Sequence, residues 1–404
     1  MTNRALLMAV LSAGTVRVEG VLFSDDSRHF LACLVALGFT VEIEEEKKCV
    51  TVTGCGGRIP RGEAVIDVGS AGTAARFLAA MLGFSDGCYE IRCSAQMKRR
   101  PMAELFDLLS GAGAKITFLE EEGHLPVRIT GCRYARADKT AGETPRELSL
   151  DITKSTQFLS ALLLIAPMVP EGMKIHITSE KTDGSYIRIT RKMMQEFGVS
   201  VAFDGRDYEV PCRSSYRKET YMVEPDMSAA CYFYAAAAVT GGRALVRHVH
   251  MDNTQGDLRF LEVLEHMGCT ADDTPEGVLV TGPADGALRG ITVNMNDFSD
   301  QALTLAAIAP FADAPVRIEG IGHIRGQECD RIHAIQTNLT ALGGVRRKRR
   351  LPRSIPAAPT AEAWRHTTIT AWRWHFPWSD LEPTGLSLRT RRAAARRLKI
   401  ILPC

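Results

Sequence analysis

The chain has 404 residues, 45% of them hydrophobic and 24% charged, which is enough for one large core or two moderate ones. Its eleven cysteines are scattered, with no CxxC pair and no neighbouring His cluster, which argues against a structural zinc site and a disulfide framework and points to a reducing cytosol. A formal net charge of +2 hides a split, because fourteen Lys/Arg against three Asp/Glu follow Val345, and no apolar run reaches the ~18 residues of a membrane span.

The N-terminal MTNRALLMAVLSAGT has roughly the length of a signal-peptide core. Leu6, Leu7, Val10 and Leu11 nevertheless make a helical stripe, and strand-like sequence follows at once, so this segment reads as the first helix of the fold. One pattern then recurs: an amphipathic helix ending in Gly, a strand, a charged turn and a second strand. It reads SDDSRHFLACLVALGFTVEIEEEKKCVTVTG at 24–54 and MAELFDLLSGAGAKITFLEEEGHLPVRITG at 102–131. It returns as SYIRITRKMMQEFGVSVAFDGRDYEV at 185–210 and DLRFLEVLEHMGCTADDTPEGVLVTG at 257–282, and a fifth copy, CDRIHAIQTNLTALGGV, stops at Val345. The Gly lets the chain leave the helix, the alternating strands make a hairpin, and EIEEEKK reads as its solvated tip.

Between these copies lies a second helix type, apolar on nearly every face: NRALLMAVLSAG, GTAARFLAAMLG, STQFLSALLLIAP, SAACYFYAAAAVTG and DQALTLAAIAPFA. A helix apolar all round is expected inside a domain. These segments begin near Arg4, Gly72, Thr156, Ser228 and Asp300, at spacings of 68, 84, 72 and 72, so a sixth is expected near 370. There the chain offers TTITAWRWHFPW, which lacks the pattern. Six units, three per domain, give two similar α/β domains with apolar helices inside and sheets outside, divided near 225.

Small polar residues introduce each apolar helix, and free N–H groups at a helix start favour anions. GSAGT (69–73), KSTQ (154–157) and DFSDQ (297–301) also read as ordinary turns and caps, but their recurrence at matched places favours a shared anion-binding cleft. MKRRP (97–101) reads as a solvated basic edge or as part of that site. HIRGQECDRI (323–332) sets Arg325, Glu328, Asp330 and Arg331 at a helix start, with Glu328 and Arg331 as i,i+3 neighbours; His323 reads as a hydrogen-bonded loop histidine.

On TNRALLMA, GSAGTAARFLAA, STQFLSALLL, DMSAACYFYAAAA and NDFSDQALTLAAIAPFA with IRGQECDRI, the sequence resembles the 5-enolpyruvylshikimate-3-phosphate synthase family, in order from Thr2 to about Val345. The resemblance implies an α/β fold of two inside-out domains, each with three βαβαββ-like units, closing over a cleft. It implies transfer of the enolpyruvyl group of phosphoenolpyruvate to the 5-hydroxyl of shikimate 3-phosphate, with release of phosphate and with no cofactor and no metal. The reaction belongs to aromatic amino acid biosynthesis, and a cytoplasmic monomer acting on small molecules, with no membrane or nucleic-acid partner, is expected. Substrates bearing phosphate and carboxylate call for several cations and N–H donors, with Arg the better planar clamp.

By motif position the resemblance makes Asp300 the carboxylate that holds and deprotonates the 5-hydroxyl, and Glu328 the acid–base glutamate. It places Gly72, Arg100, Glu328 and Arg331 on phosphoenolpyruvate. On shikimate 3-phosphate it places Arg4, Ser155, Thr156, Gln157, Tyr186 and Asp300, with Gln327 standing where many members have Lys. Ser70 and Phe77 replace the commoner Asn and Pro, and the Lys-Ser pair that family members carry just before the segment beginning here at Met1 is not in this sequence. UDP-N-acetylglucosamine enolpyruvyl transferase shares fold and chemistry, but its reactive Cys has no counterpart in QMKRRPMAELF.

The tail departs more sharply. All four tryptophans fall in it, at Trp364, Trp372, Trp374 and Trp378. The family's sixth unit contains Asp-Asp-His-Arg-Met-Ala-Met-Ala-Phe-Ser. Met-Ala-Met must be written ATG GCN ATG, and read one base later it gives Trp, then Leu, Pro, Gln or Arg, then Trp, as in Trp372-Arg373-Trp374. The same shift permits Thr368 to Ala371 before it and His375-Phe376-Pro377-Trp378 after it. The expectation is a frameshift soon after Gly344, giving domains at 1–225 and 226–345 and a poorly ordered basic tail at 346–404. Little activity and poor solubility follow from it. The rival reading, an inactive product with a nucleic-acid-binding tail, rests on RRKRR (346–350).

Overall fold

Ala-rich apolar segments form helices inside, and alternating segments form sheets outside them, throughout the residues that the computed structural model describes: 1–132, 145–153, 155–284, 287–326, 329–341 and 369–371. The chain divides into two units, Met1–Glu224 and Pro225–Cys404.

In the first unit the chain runs α1 (Thr2–Leu11), β1 (Thr15–Glu19), α2 (Asp25–Ala36), β2 (Thr40–Glu44) and β3 (Cys49–Thr53). The second repeat is β4 (Glu63–Asp67), α3 (Gly72–Gly83), β5 (Cys88–Arg92), a short α4 (Ala95–Lys98), α5 (Ala103–Gly111), β6 (Lys115–Phe118) and β7 (Val127–Thr130). The third is β8 (Arg146–Leu150), α6 (Gln157–Ile165), β9 (Met173–Ile177), α7 (Ser185–Glu196), β10 (Ala202–Phe203) and β11 (Asp207–Val210), after which β12 (Thr220–Met222) follows. The sheets are β12-β1-β3-β2, β4-β5-β7-β6 and β8-β9-β11-β10, each with one parallel pair followed by two antiparallel pairs. The strand that completes the first sheet is therefore the last of the unit, with Arg17 opposite Thr220 in parallel register.

Every residue of α1 is buried, as are all of α3 except Thr73 and all of α6 except Gln157. These three helices pack on one another, and Ala and Gly in α3 permit the close approach. The strands turn alternate residues onto them: Val16 and Val18 of β1 stand opposite Val52 and Val50 of β3, and all four are buried. The outer helices end as their composition demands. Gly38, Gly113, Gly198 and Gly268 take φ of +91°, +100°, +89° and +103° at the same point of four repeats. A Cβ on Gly198 would meet only Arg217 Cβ at 4.0 Å, so Gly198→Ala isolates the backbone term. That substitution is expected to cost about 1 to 2 kcal/mol in urea titration.

The second unit has α8 (Met227–Thr240), β13 (Arg243–Arg247), α9 (Phe260–His266), β14 (Thr270–Thr274), β15 (Gly277–Thr281), β16 (Thr292–Asn294), α10 (Ala302–Ile308), β17 (Val316–Glu319), α11 (Arg331–Ala341) and β18 (Ile369–Ala371). Its sheets are β13-β15-β14 and β16-β17-β18. β16 and β17 are parallel, and β18 pairs antiparallel with β17, in the place the hairpin strand takes in the complete repeats. Two β-branched residues, Ile369 and Thr370, suit that position. The rest of the expected out-of-frame tail, with its tryptophans, lies outside the described residues.

α8 departs from expectation. The sequence reads as buried all round, yet Tyr232 is 40% and Phe233 62% exposed, and only half of its residues are buried. In the first unit three inner helices cover one another, whereas among the described residues of the second unit α8 has only α10 as an inner partner. The face through Ala229, Tyr232, Phe233 and Ala236 is the one left uncovered.

Candidate functional site

The first helical turns of α1, α3 and α6 meet. Asn3 Nδ2 donates to Thr73 Oγ1 at 2.9 Å, and the Arg76 guanidinium of α3 lies 5.5 Å from the Phe158 ring centroid of α6. Arg4, 5% exposed, donates from Nε to Thr190 Oγ1 of α7 at 2.8 Å, and its guanidinium sits over the Phe77 and Tyr186 rings at 5.3 and 5.7 Å. Thr190 Oγ1 in turn donates to the Tyr186 carbonyl at 2.8 Å and stands 3.2 Å from Ser160 Oγ. Burial pushes the Arg4 pKa down to about 10, with Tyr186 pulling it partly back, so the guanidinium stays charged at neutral pH at a desolvation cost.

Two more guanidinium groups close on Gly72. Arg76 Nη1 donates to the Gly72 carbonyl at 3.0 Å, and a Cβ on Gly72 would stand 2.5 Å from Arg100 Nη1 and 2.8 Å from Arg76 Nη1. Gly72 is not in the left-handed region, so what its missing side chain provides is room for these two guanidinium groups. Within the basic MKRRP segment, Lys98 pairs with Glu120 at 2.6 Å while Arg100 turns to the start of α3, so the cluster is not a uniform solvated edge. Ser155 Oγ accepts from the Gln157 N–H at 3.2 Å, and Thr156 begins α6 without a side-chain cap. The Gln157 Oε1 atom is buried with no hydrogen-bond partner among the described residues. Thr156 Cγ2 lies 3.6 Å from a Cβ built on Gly184, the residue before the helix that carries Tyr186. The first unit thus gathers Arg4, Gly72, Arg100 and Tyr186 with Ser155, Thr156 and Gln157 on adjoining helix starts. Gly72→Ala is expected to displace Arg100 and weaken inorganic phosphate binding at this helix start by roughly 10-fold in calorimetric titration, the loss of about one charge-assisted hydrogen bond.

In the second unit, Asp300 lies in the 3₁₀ turn Ser299–Gln301 before α10, and its Oδ1 accepts from Arg331 Nη1 at 2.7 Å. Arg331 is the first residue of α11 and forms an ion pair with Asp300. Glu328, Gln327 and Lys154 lie outside the described residues. Arg325 holds Asp330 through both carboxylate oxygens at 3.1 and 2.8 Å, and Ser299 Oγ lies 2.8 Å from His323 Nε2.

Sequence reasoning missed Arg76, Thr190 and Asp257. An Arg inside an otherwise apolar helix was the available signal for Arg76. Asp257, 5% exposed, accepts on Oδ2 from Gln301 Nε2 at 2.9 Å and from Ser228 Oγ. Burial first, then the neighbouring Asp300 and Asp226 carboxylates, push its pKa up to about 6 against the two hydrogen bonds. Because the folded pKa lies above the ordinary 3.8, the stability that Asp257 contributes is complete below pH 3.8 and is lost as pH rises through about 6. The Asn amide oxygen keeps both acceptor bonds without the charge. Asp257→Asn is therefore expected to stabilise the protein by up to about 3 kcal/mol at pH 8 and by nothing at pH 4 in parallel urea titrations.

All ten described cysteines are free, and no group of three or more His, Cys, Asp or Glu side chains placed to hold a metal occurs among the described residues. No helix among them is long and apolar enough to cross a membrane.

The family model for EPSP synthase (3-phosphoshikimate 1-carboxyvinyltransferase) matches residues 1–361, past Val345 where the fifth copy of the repeat stops. The chain is 40% identical over 344 residues to a 3-phosphoshikimate 1-carboxyvinyltransferase of Trichormus variabilis, covering 85% of this chain and 78% of that protein. It is 35% identical over 347 residues to one of Methanospirillum hungatei, with the same 85% and 78% covered. Among solved structures, EPSP synthase from Acinetobacter baumannii matches with TM-score 0.66 at 23% identity, over 84% of this chain and 75% of that one. The enolpyruvyl transferase NikO from Streptomyces tendae matches with TM-score 0.62 at 14% identity, over 99% and 85%. At these identities the two structures speak to the fold alone.

Proposed function

Because the chain belongs to the EPSP synthase (3-phosphoshikimate 1-carboxyvinyltransferase) family, we propose that its two polar clusters serve that family's transfer of an enolpyruvyl group from phosphoenolpyruvate to shikimate 3-phosphate. The observation that carries this reading is the placing of three guanidinium groups at the starts of packed inner helices: Arg4 in α1 beside Phe77 of α3, and Arg76 and Arg100 at Gly72, where α3 begins. Arg4, Ser155, Thr156, Gln157 and Tyr186 hold shikimate 3-phosphate, with Gln327 at the position where Lys is common. Gly72, Arg100 and Arg331 hold phosphoenolpyruvate.

Asp300 takes the proton of the 5-hydroxyl as that oxygen bonds to C2 of phosphoenolpyruvate, and Glu328 delivers a proton to C3. Breaking the C2–O bond to phosphate, with loss of a C3 proton, restores the double bond. The ion pair with Arg331 orients the Asp300 carboxylate in the absence of substrate. The chain acts as a cytoplasmic monomer on small molecules, without a nucleic-acid partner; scattered cysteines with no CxxC pair support the reducing compartment.

Turnover by this chain is impaired. The support is the sequence after Val345, which does not contain the Asp-Asp-His-Arg of the family's sixth unit. A phosphate-release assay with both substrates, run beside shikimate 3-phosphate calorimetry, tests the reading. Binding with little turnover is expected; turnover near that of an intact relative overturns the impairment, and absence of binding overturns the site. Sequencing the gene tests the origin of the tail, and a +1 frame after codon 345 lacking Asp-Asp-His-Arg ends the frameshift explanation.

A further inference from the structure

We propose that Asp257 is a positioning residue for Asp300, acting through Gln301 from the buried side of the turn that carries it. Asp257 lies in the 3₁₀ turn Gly256–Arg259, and its Oδ2 is the common acceptor for Ser228 of α8 and Gln301 of the Ser299–Gln301 turn. Gln301, 1% exposed, spends its other end accepting from Thr304 Oγ1 of α10 at 2.9 Å. Asp300 is the residue before Gln301 and points instead to Arg331. One carboxylate oxygen therefore ties the start of α8, the turn under Asp300 and the first turn of α10 into one unit.

The segment around Asp257 repeats the same clamp. Gln255 accepts from the Met227 N–H at 3.2 Å and donates to the Pro225 carbonyl at 2.6 Å, which fixes the entry to α8. On the other side the Arg259 guanidinium sits 5.0 Å from the Phe298 ring centroid, two residues before Asp300. A buried carboxylate left charged in such a place is costly, and a hydrophobic residue of similar size would relieve that cost. Its geometric use is that a buried acceptor fixes Gln301, and with it the backbone of the neighbouring Asp300, more tightly than packing alone.

The proposal rests on the reading of Asp300 as the group that meets the 5-hydroxyl, and its test separates the two. In the full chain, Asp257→Ala and Gln301→Met are each expected to weaken shikimate 3-phosphate binding about 10-fold in calorimetry. Asp257→Asn, which keeps the acceptor, is expected to stay within about 2-fold of the parent. In an Asp300→Ala background the same substitutions are expected to add nothing. Carboxyl ¹³C NMR of labelled aspartate, without ligand, is expected to show the Asp300 resonance moved by Asp257→Ala and by Gln301→Met and restored by Asp257→Asn. An unmoved Asp300 resonance overturns the positioning role whether or not the ligand binds, as does an equal loss of affinity in the Asp300→Ala background. Failure of the parent chain to bind shikimate 3-phosphate, with the resonance moving as expected, overturns the substrate reading and leaves the positioning role standing.

Discussion

Arg4→Met is expected to weaken shikimate 3-phosphate binding by roughly 100-fold, about 3 kcal/mol, while the thermal midpoint stays level or rises. The two effects have opposite signs because Arg4 is stored at a cost. Its guanidinium is nearly fully buried, and its lowered pKa records that the fold disfavours the charge. Methionine fills a similar volume over Phe77 and Tyr186 without a charge to desolvate, while Thr190 keeps its bond to the Tyr186 carbonyl. Calorimetric titration and a melting curve on one preparation check both halves. A variant that binds as tightly as the parent removes Arg4 from the site, and one that melts far lower shows that its role is structural.

Leu162→Ala and Phe233→Ala form the second expectation, because the two residues lie on helices that look alike in sequence. Leu162, in the middle of α6, is fully buried among three inner helices, so its truncation is expected to cost about 2 to 5 kcal/mol in urea titration. Phe233 on α8 is 62% exposed, and its truncation is expected to cost less than about 0.5 kcal/mol. Phe233→Glu is expected to raise the soluble yield by breaking the apolar face it shares with Tyr232, measured as the supernatant fraction after expression. A large loss from Phe233→Ala contradicts the open-face reading of α8.

The contrast also marks what was readable beforehand. The outer helices and their exits were legible, because a Gly closing each amphipathic stripe is a local requirement, met at Gly38, Gly113, Gly198 and Gly268 by the same left-handed backbone. The inner helices were legible as apolar all round, but α8 shows that such a pattern states a capacity for burial and not whether a neighbour is present to use it. Arg4, Gly72, Arg100 and Asp300 were singled out through motif position, and the first three stand near one another in the first unit. Thr190, Arg76 and Asp257 were not, because each owes its role to a partner far along the chain: Arg4 for Thr190, Phe158 for Arg76 and Gln301 for Asp257. The pairing of Arg331 with Asp300 was likewise out of reach, because the two are distant in sequence.

The closing strand of the first unit also sets a timetable. β12 completes the sheet that β1 begins, with Val18 opposite Tyr221 and Glu19 opposite Met222. A growing chain can assemble the second and third sheets as their residues emerge, but the first keeps an unpaired edge until nearly the whole unit has been synthesised. Contacts of such sequence separation form slowly. Translation speed through residues 1–224 and chaperone access to that waiting edge therefore bear on the yield of the first unit independently of anything in the tail.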